Sequence, residues 1–254
     1  MVSSNRVFAQ GTALLLAAAA GARGHMEMIK PCPRYNANGI DCPALPPGET
    51  KDYNENAPIS SGGNKLQPFC KYSTPWPTPA ATWTAGQQIS VQFNTWGSTH
   101  SGGHCEWSVS YDGGSSFVVV HRVLQHCFYD ADNNPQTVFN FTLPADLPGS
   151  DAAVFAWSWV NAMGNREFYM NCADVKIQGS SPSFTGPQMT VLNYPDYPTI
   201  PEFEGNYLTG LTYYENAPSI TVHASYSSQD PGQSQSQSQS DDPPPQSSSP
   251  PSLF

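Results

Sequence analysis

The chain has 254 residues, 38% of them hydrophobic, and a formal net charge of −10. Such an acidic balance argues against nucleic acid as a partner, because binding phosphate needs a basic surface. It fits a neutral or basic partner, or simply solubility at acid pH.

Residues 1–24 read as a secretory leader. Arg6 supplies the positive start, and Ala13 to Ala20 form an apolar centre too short to span a bilayer as a helix. Ala22 and Gly24 are the small residues at −3 and −1 of a cut before His25. A cut one or two residues away, such as after Ala22, is the competing reading. Removing Arg6 and Arg23 with the leader takes the net charge from −10 to −12. Nothing else reads as membrane-spanning, and the terminal Ser-Pro-Pro-Ser-Leu-Phe lacks the apolar tail of a lipid-anchor signal. The expectation is a secreted, extracellular monomer with neither membrane nor nucleic acid as a partner. Cys32, Cys42, Cys70, Cys105, Cys127 and Cys172 then suggest three disulfides. Spacing alone does not say which pair. No Cys-x-x-Cys occurs, which counts against zinc.

Residues 25 to about 85 are rich in Pro, Gly and Asn and read as ordered loops tied by Cys32, Cys42 and Cys70. From Gln87 a period of two sets in. Ile89, Val91 and Phe93 alternate with polar residues, as do Trp107, Val109 and Tyr111. Asp112-Gly113-Gly114 predicts a turn into a strand over Phe117–Leu124. Phe139, Phe141 and Leu143 alternate next, before a turn from Pro144 to Gly149. Val154–Val160 puts Phe155, Trp157 and Trp159 on one face, and Phe168–Cys172 and Asp174–Ile177 read as two shorter strands. This pattern predicts an all-β protein, an antiparallel β-sandwich with long disulfide-tied loops. Residues 183–224, rich in Tyr and Pro, read as an extended wrap or short hairpins. Residues 225–254, with the Gln-Ser repeat from Gln233 to Ser240, lack apolar content and read as a disordered tail. Asn140-Phe141-Thr142 is an N-glycosylation sequon whose Asn140 faces away from Phe139 and Phe141.

Three positions carry candidate chemistry. At a mature terminus His25 offers two nitrogens, its α-amine and ring Nδ1, which close a six-membered chelate ring on a metal. His100 lies in the Gly-rich loop Trp96–Cys105, where a ring can point away from the sandwich end. In Asn165–Cys172, Glu167 and Tyr169 project to one side if the segment is extended. One amine and two imidazoles in a T favour copper, which tops the divalent affinity order and accepts tetragonal geometry. Tyr169 would be the axial residue and Glu167 a hydrogen-bond partner to copper-bound oxygen. Plainer readings compete: a solvated loop histidine for His100, strand packing for Tyr169, and a surface pair with Arg166 for Glu167. His104 shares the loop and is a rival ligand, though its place beside Cys105 points to burial. Glu167 and Asp174 could form a glycosidase pair, but nothing sets their separation. No Gly-x-Ser-x-Gly element supports an esterase.

The start His25-Met26-Glu27-Met28, the loop His100-Ser101-Gly102-Gly103-His104-Cys105 and the long block Trp157–Asn161 through Gly164–Cys172 together resemble the copper-dependent lytic polysaccharide monooxygenases. Within them the resemblance is to the fungal, chitin-active auxiliary activity family eleven, and it runs from His25 to about Gly179. It implies an immunoglobulin-like or fibronectin-like sandwich, with residues 25–224 as the catalytic domain. It implies a histidine brace of His25 and His100, Tyr169 on the axial side and Glu167 beside it. It also implies the disulfides Cys70–Cys172 and Cys105–Cys127, leaving Cys32–Cys42. The implied activity is oxidative cleavage of glycosidic bonds at C1 or C4 in a crystalline polysaccharide, chitin first and cellulose second. Electrons would come from an external donor, and hydrogen peroxide or dioxygen would be the oxidant. Ser98 departs from the small apolar residue expected two places before the loop histidine, the Cys32–Cys42 insert lies near His25, and 183–224 has no clear counterpart. Two other readings stand beside this one: a secreted copper-binding protein with the same brace but no cleavage, and a disulfide-stapled wall-binding module without metal.

Overall fold

The structure, a computed structural model, describes residues 25–60 and 66–226. The expected leader and the tail beyond Tyr226 lie outside the described residues. Ten strands and one short helix follow in order: β1 (Met28–Lys30), β2 (Ala81–Thr84), β3 (Gln88–Phe93), β4 (Gly103–Ser110), β5 (Val118–Val123), β6 (Val138–Thr142), β7 (Pro148–Asn161), β8 (Tyr169–Ser180), β9 (Ser183–Pro187), α1 (Leu211–Glu215) and β10 (Ser219–His223). They build a three-stranded sheet β1-β3-β6, a five-stranded sheet β2-β8-β7-β4-β5 and a two-stranded ribbon β9-β10. The alternations around Ile89, Trp107, Phe117 and Phe139 become β3, β4, β5 and β6. The two short strands expected over 168–177 are one continuous strand, β8. The expected 144–149 turn is cut short, because β7 begins at Pro148. Two short strands, β1 and β2, emerge from the region read as loops. β2 runs parallel to β8, the one parallel pair among the named strands, because Asp174 and Gln178 of β8 accept backbone bonds from Ala80 and Ala85 at its two ends.

Period two explains the layering. Odd residues of β7 and β8, including Phe155, Trp157, Trp159, Tyr169 and Ala173, face the small sheet and pack with Val91, Phe93, Phe139 and Trp107. Trp107, Trp157 and Trp159 are fully buried, and burying each such ring contributes about 1.5–3 kcal/mol. The even residues are buried too. Val154, Ala156, Val160, Met170 and Cys172 pack against Ile59, Phe117, Met189, Leu192, Ile200, Phe203 and Tyr214. The large sheet is therefore covered on both faces, and residues 188–218 form much of its second cover. β9 and β10 pair antiparallel at the two ends of that excursion, so the expected short hairpin has a loop long enough to hold α1. Ser225 and Tyr226, at the start of the expected tail, still lie against the large sheet: Ser225 bridges Ser150 of β7, and the Tyr226 hydroxyl donates to the Gly179 carbonyl of β8.

The loops of residues 31–80 are tied down chemically. The disulfides are Cys32–Cys42, Cys70–Cys172 and Cys105–Cys127, the pairing that the resemblance implies. Arg34 donates through Nε and Nη2 to Asp174 at 3.0 and 2.6 Å, and the Trp76 N–H adds a third bond to that carboxylate. Asp174 is thus engaged by Arg34 and is no partner for Glu167.

Beneath β1 lies a second polar cluster. Lys71 is paired with both Asp52 and Glu55, and Asn171 donates to the Glu55 backbone and side chain. Burial pushes the Glu55 carboxyl up to about 8 against the pull of Lys71. Burial pushes Asp52 the same way, but Lys71, the Tyr72 hydroxyl and the Asn54 N–H outweigh it and hold Asp52 at about 2. A carboxyl raised in the fold stabilises it below its unfolded value and loses that contribution as pH rises through the folded one. Asp52, being depressed, loses its contribution only as pH falls towards about 2. Stability is therefore expected to fall between pH 4.5 and 8, by up to about 5 kcal/mol, and Tm falls with it. Calorimetry across that range checks this. Glu55→Gln should flatten the slope, and an equally steep slope in that variant would remove Glu55 as its source.

Candidate metal centre at the sandwich end

β1 brings His25 to one end of the sandwich. Met26 and Met28 are buried in the core, and Met28 pairs with Phe93. His25 bridges Ser98, and its carbonyl accepts from Asn94 Nδ2 at 3.1 Å. The chain can pass this closely only because residue 97 is glycine: a Cβ there would stand 2.5 Å from the His25 carbonyl oxygen. Ser98, the departure noted in the sequence, is thus the residue that bridges His25. The Cys32–Cys42 insert packs nearby, where Asn38 donates to Glu27 Oε1 at 2.8 Å.

His100 enters from the loop before β4. Its imidazole lies 4.9 Å from that of His25, centroid to centroid and nearly parallel at 27°. His100 Nε2 is buried and has no hydrogen-bond partner. Burial lowers its pKa, and the neighbouring His25 lowers it further. The ring is held neutral with an open nitrogen.

The start of β8 supplies the third group. The Tyr169 ring is 5.1 Å from the His25 ring and 4.6 Å from that of Trp159. Its hydroxyl donates to Glu167 Oε2 at 2.6 Å. Glu167 and Tyr169 do share one side, as period two predicts, and both are buried. Burial raises the Tyr169 pKa, and Glu167 raises it further, so the phenol keeps its proton. Arg166 turns away from Glu167 and donates to the carbonyls of Asn161 and Gly164; the surface charge pair does not form.

His25, His100, Tyr169 and Glu167 therefore meet at one place, and the rival ligand does not join them. His104 is 1% exposed on the opposite face of β4. It accepts from the Gln125 N–H at Nδ1 and donates from Nε2 to the Thr209 carbonyl. Sequence reasoning takes Trp159 as core only, yet it walls the site, 5.8 Å from His100. Gly97 and Asn94 were missed, since a close backbone approach leaves no period. Among the described residues there is no cluster of three or more His, Cys, Asp or Glu groups. Any metal held here would rest on two imidazoles, the His25 amine and a phenol. Such nitrogen-rich sets suit copper and, among borderline metals, nickel.

A family model described as lytic polysaccharide mono-oxygenase, cellulose-degrading, matches residues 18–175. The chain belongs to the lytic polysaccharide monooxygenase family. AA11 family lytic polysaccharide monooxygenase A of Aspergillus fumigatus is 37% identical over 163 residues, which cover 63% of this chain and 68% of that protein. An AA11 family lytic polysaccharide monooxygenase of Aspergillus oryzae is 31% identical over 183 residues, 67% of this chain and 39% of that one. The chain thus spans about two thirds of the first relative and about two fifths of the second. A solved cellulose-active polysaccharide monooxygenase from M. thermophila overlaps with a TM-score of 0.32 at 15% identity, over 41% of this chain and 56% of that one, too partial an overlap to bear on the site.

Proposed function

We propose that the chain is a secreted, copper-dependent monooxygenase or peroxygenase that cleaves glycosidic bonds oxidatively in a crystalline polysaccharide, chitin first and cellulose second. The carrying observation is the buried, unpartnered Nε2 of His100, on a ring whose centroid lies 4.9 Å from that of His25. A buried nitrogen without a partner costs stability unless something engages it. Copper suits the gap, since the residues around it are nitrogen donors and a protonated phenol.

His25, through its α-amine and ring, and His100, through Nε2, would hold the copper, with the Tyr169 phenol beside them. When bound, copper supplies one-electron redox chemistry with dioxygen or hydrogen peroxide, after reduction by an external donor. The residues do the rest. Trp159 and Tyr169 keep water from the inner side of the site. Glu167 holds the Tyr169 proton and orients the ring. Trp96, about half exposed, lies in the loop that carries His100, and a flat aromatic side chain of that kind suits the face of a sugar ring. No helix among the described residues is long and apolar enough to cross a membrane. The leader at 1–24 would free the His25 amine. Asn140, exposed on the outer side of β6, would carry a glycan.

The test is copper-loaded protein with ascorbate on β-chitin and on cellulose, with products read by mass spectrometry. Oxidised oligosaccharides are expected. Tight copper without product from either, or from pectin, would leave a copper-binding protein that does not cleave. A mature start other than His25, with no copper bound, would leave a wall-binding module. Tyr169→Phe should keep copper and cost about 1–3 kcal/mol of stability, since it takes the hydroxyl donor from the buried Glu167 carboxylate, yet change the EPR spectrum. An identical spectrum would remove Tyr169 from the coordination sphere.

A further inference from the structure

The segment after β9 reaches back to the two stretches of backbone that enclose His100. Those stretches are awkward. His100, Ser101, Gly102 and Gly103 have φ of 46, 59, 95 and 121° in succession. For His100 and Ser101, which are not glycine, such a conformation costs on the order of 1 kcal/mol each and persists only when its surroundings over-determine it. On the other side of the ring, Gly164 also has positive φ, and a Cβ added there would stand 3.1 Å from His100 Nδ1. The imidazole therefore sits between its own loop and the backbone of residue 164.

Both walls are gripped from the same place. The Tyr207 hydroxyl donates to the Ser101 carbonyl at 2.9 Å, and its ring lies against that of His126, tilted by 32° with centroids 3.8 Å apart. Glu202 Oε1 accepts the Gly164 N–H at 2.6 Å. The Phe203 N–H donates to the Ala162 carbonyl at 2.9 Å, and Arg166 Nη1 reaches the Pro201 carbonyl at 3.3 Å. The segment is anchored in turn. Ile200, Phe203 and Tyr214 are buried in the second core, and His104 holds the Thr209 carbonyl. The two histidines of the loop thus have linked tasks, His100 at the site and His104 on the segment that clamps it.

We infer that Glu202 and Tyr207 are positioning residues for His100, fixing the direction of its open nitrogen. This rests on the proposed copper site, but part of it is testable without metal. The secreted protein would carry Tyr207→Phe, Glu202→Ala or both, beside Glu202→Gln, which keeps an acceptor in place. In metal-free protein the His100 ring resonances should shift and the Gly164 amide should exchange faster in Glu202→Ala, while Tm moves only a few degrees. With copper, affinity in chelator competition should fall about tenfold in the double variant, the size of loss typical when the partners of metal ligands are removed. The Cu(II) EPR parameters should change with it, and Glu202→Gln should restore most of both. Superimposable EPR spectra with affinity unchanged in the double variant would overturn the inference. If the parent protein binds no copper, the functional reading fails by itself, and the metal-free resonances decide: unchanged His100 signals overturn the clamp, and shifted ones support it.

Discussion

His100→Ala is expected to lower copper affinity by at least about a hundredfold, beyond what loss of a ligand's supporting partner produces, with little change in Tm. His100 is only half-buried, and its nitrogen Nε2 supports nothing else in the fold. His104→Ala is the control with the opposite outcome. It removes the bonds to Gln125 and Thr209 from a ring that is 1% exposed, so it should cost about 1–3 kcal/mol of stability and leave a copper signal from folded protein. Titration with Cu(II) followed by EPR separates the two. An unchanged copper spectrum in His100→Ala would sink the site. The same titration on protein that keeps one residue ahead of His25 tests the amine, which is then an amide without a free lone pair.

Asp174→Ala is expected to be the most destabilising single change near the loops. Arg34 is 3% exposed, and its guanidinium is paired with the Asp174 carboxylate. Removing one member of a buried pair strands the other charge, at about 3–5 kcal/mol. That corresponds to a drop in Tm on the order of 10 °C for a chain of this size. Thermal unfolding at pH 7 measures it. A change within a couple of degrees would mean that Arg34 finds water or another acceptor. Whatever folds should still bind copper, because Asp174 is held by Arg34 and Trp76 rather than by the site.

The legible parts of the sequence are those with a physical period. β3 and β6 each bury one face against the other sheet, so Ile89-Val91-Phe93 and Phe139-Phe141 alternate in the open; β4 is buried throughout, and Trp107-Val109 alternate there with the buried polar Glu106, Ser108 and Ser110. β7 and β8 bury both faces, and only the bulk of Phe155, Trp157 and Trp159 marks the inner one. β1 and β2 are too short to show a period, and β2 takes its place from β8 rather than from its own residues. The stretch 183–224 has no period because it covers the sheet with loops and rings such as Phe203 and Tyr214. At the site, His25, His100, Glu167 and Tyr169 were legible because each is chemically particular and the family resemblance aligns them. Trp159, Gly97, Glu202 and Tyr207 were not: their roles depend on where distant backbone lies, and no local pattern records that.

The two-sided burial of the large sheet also sets where this domain can be cut. The match to the family ends at residue 175, which invites truncation soon after β8. Such a chain would lose Met189, Leu192, Ile200, Phe203 and Tyr214 and lay bare Val154, Ala156, Val160, Met170 and Cys172 as one apolar sheet face. A bare face of that kind sticks to its own copies. The family boundary marks shared ancestry, whereas the apolar cover of the large sheet runs on to Tyr214, about forty residues later.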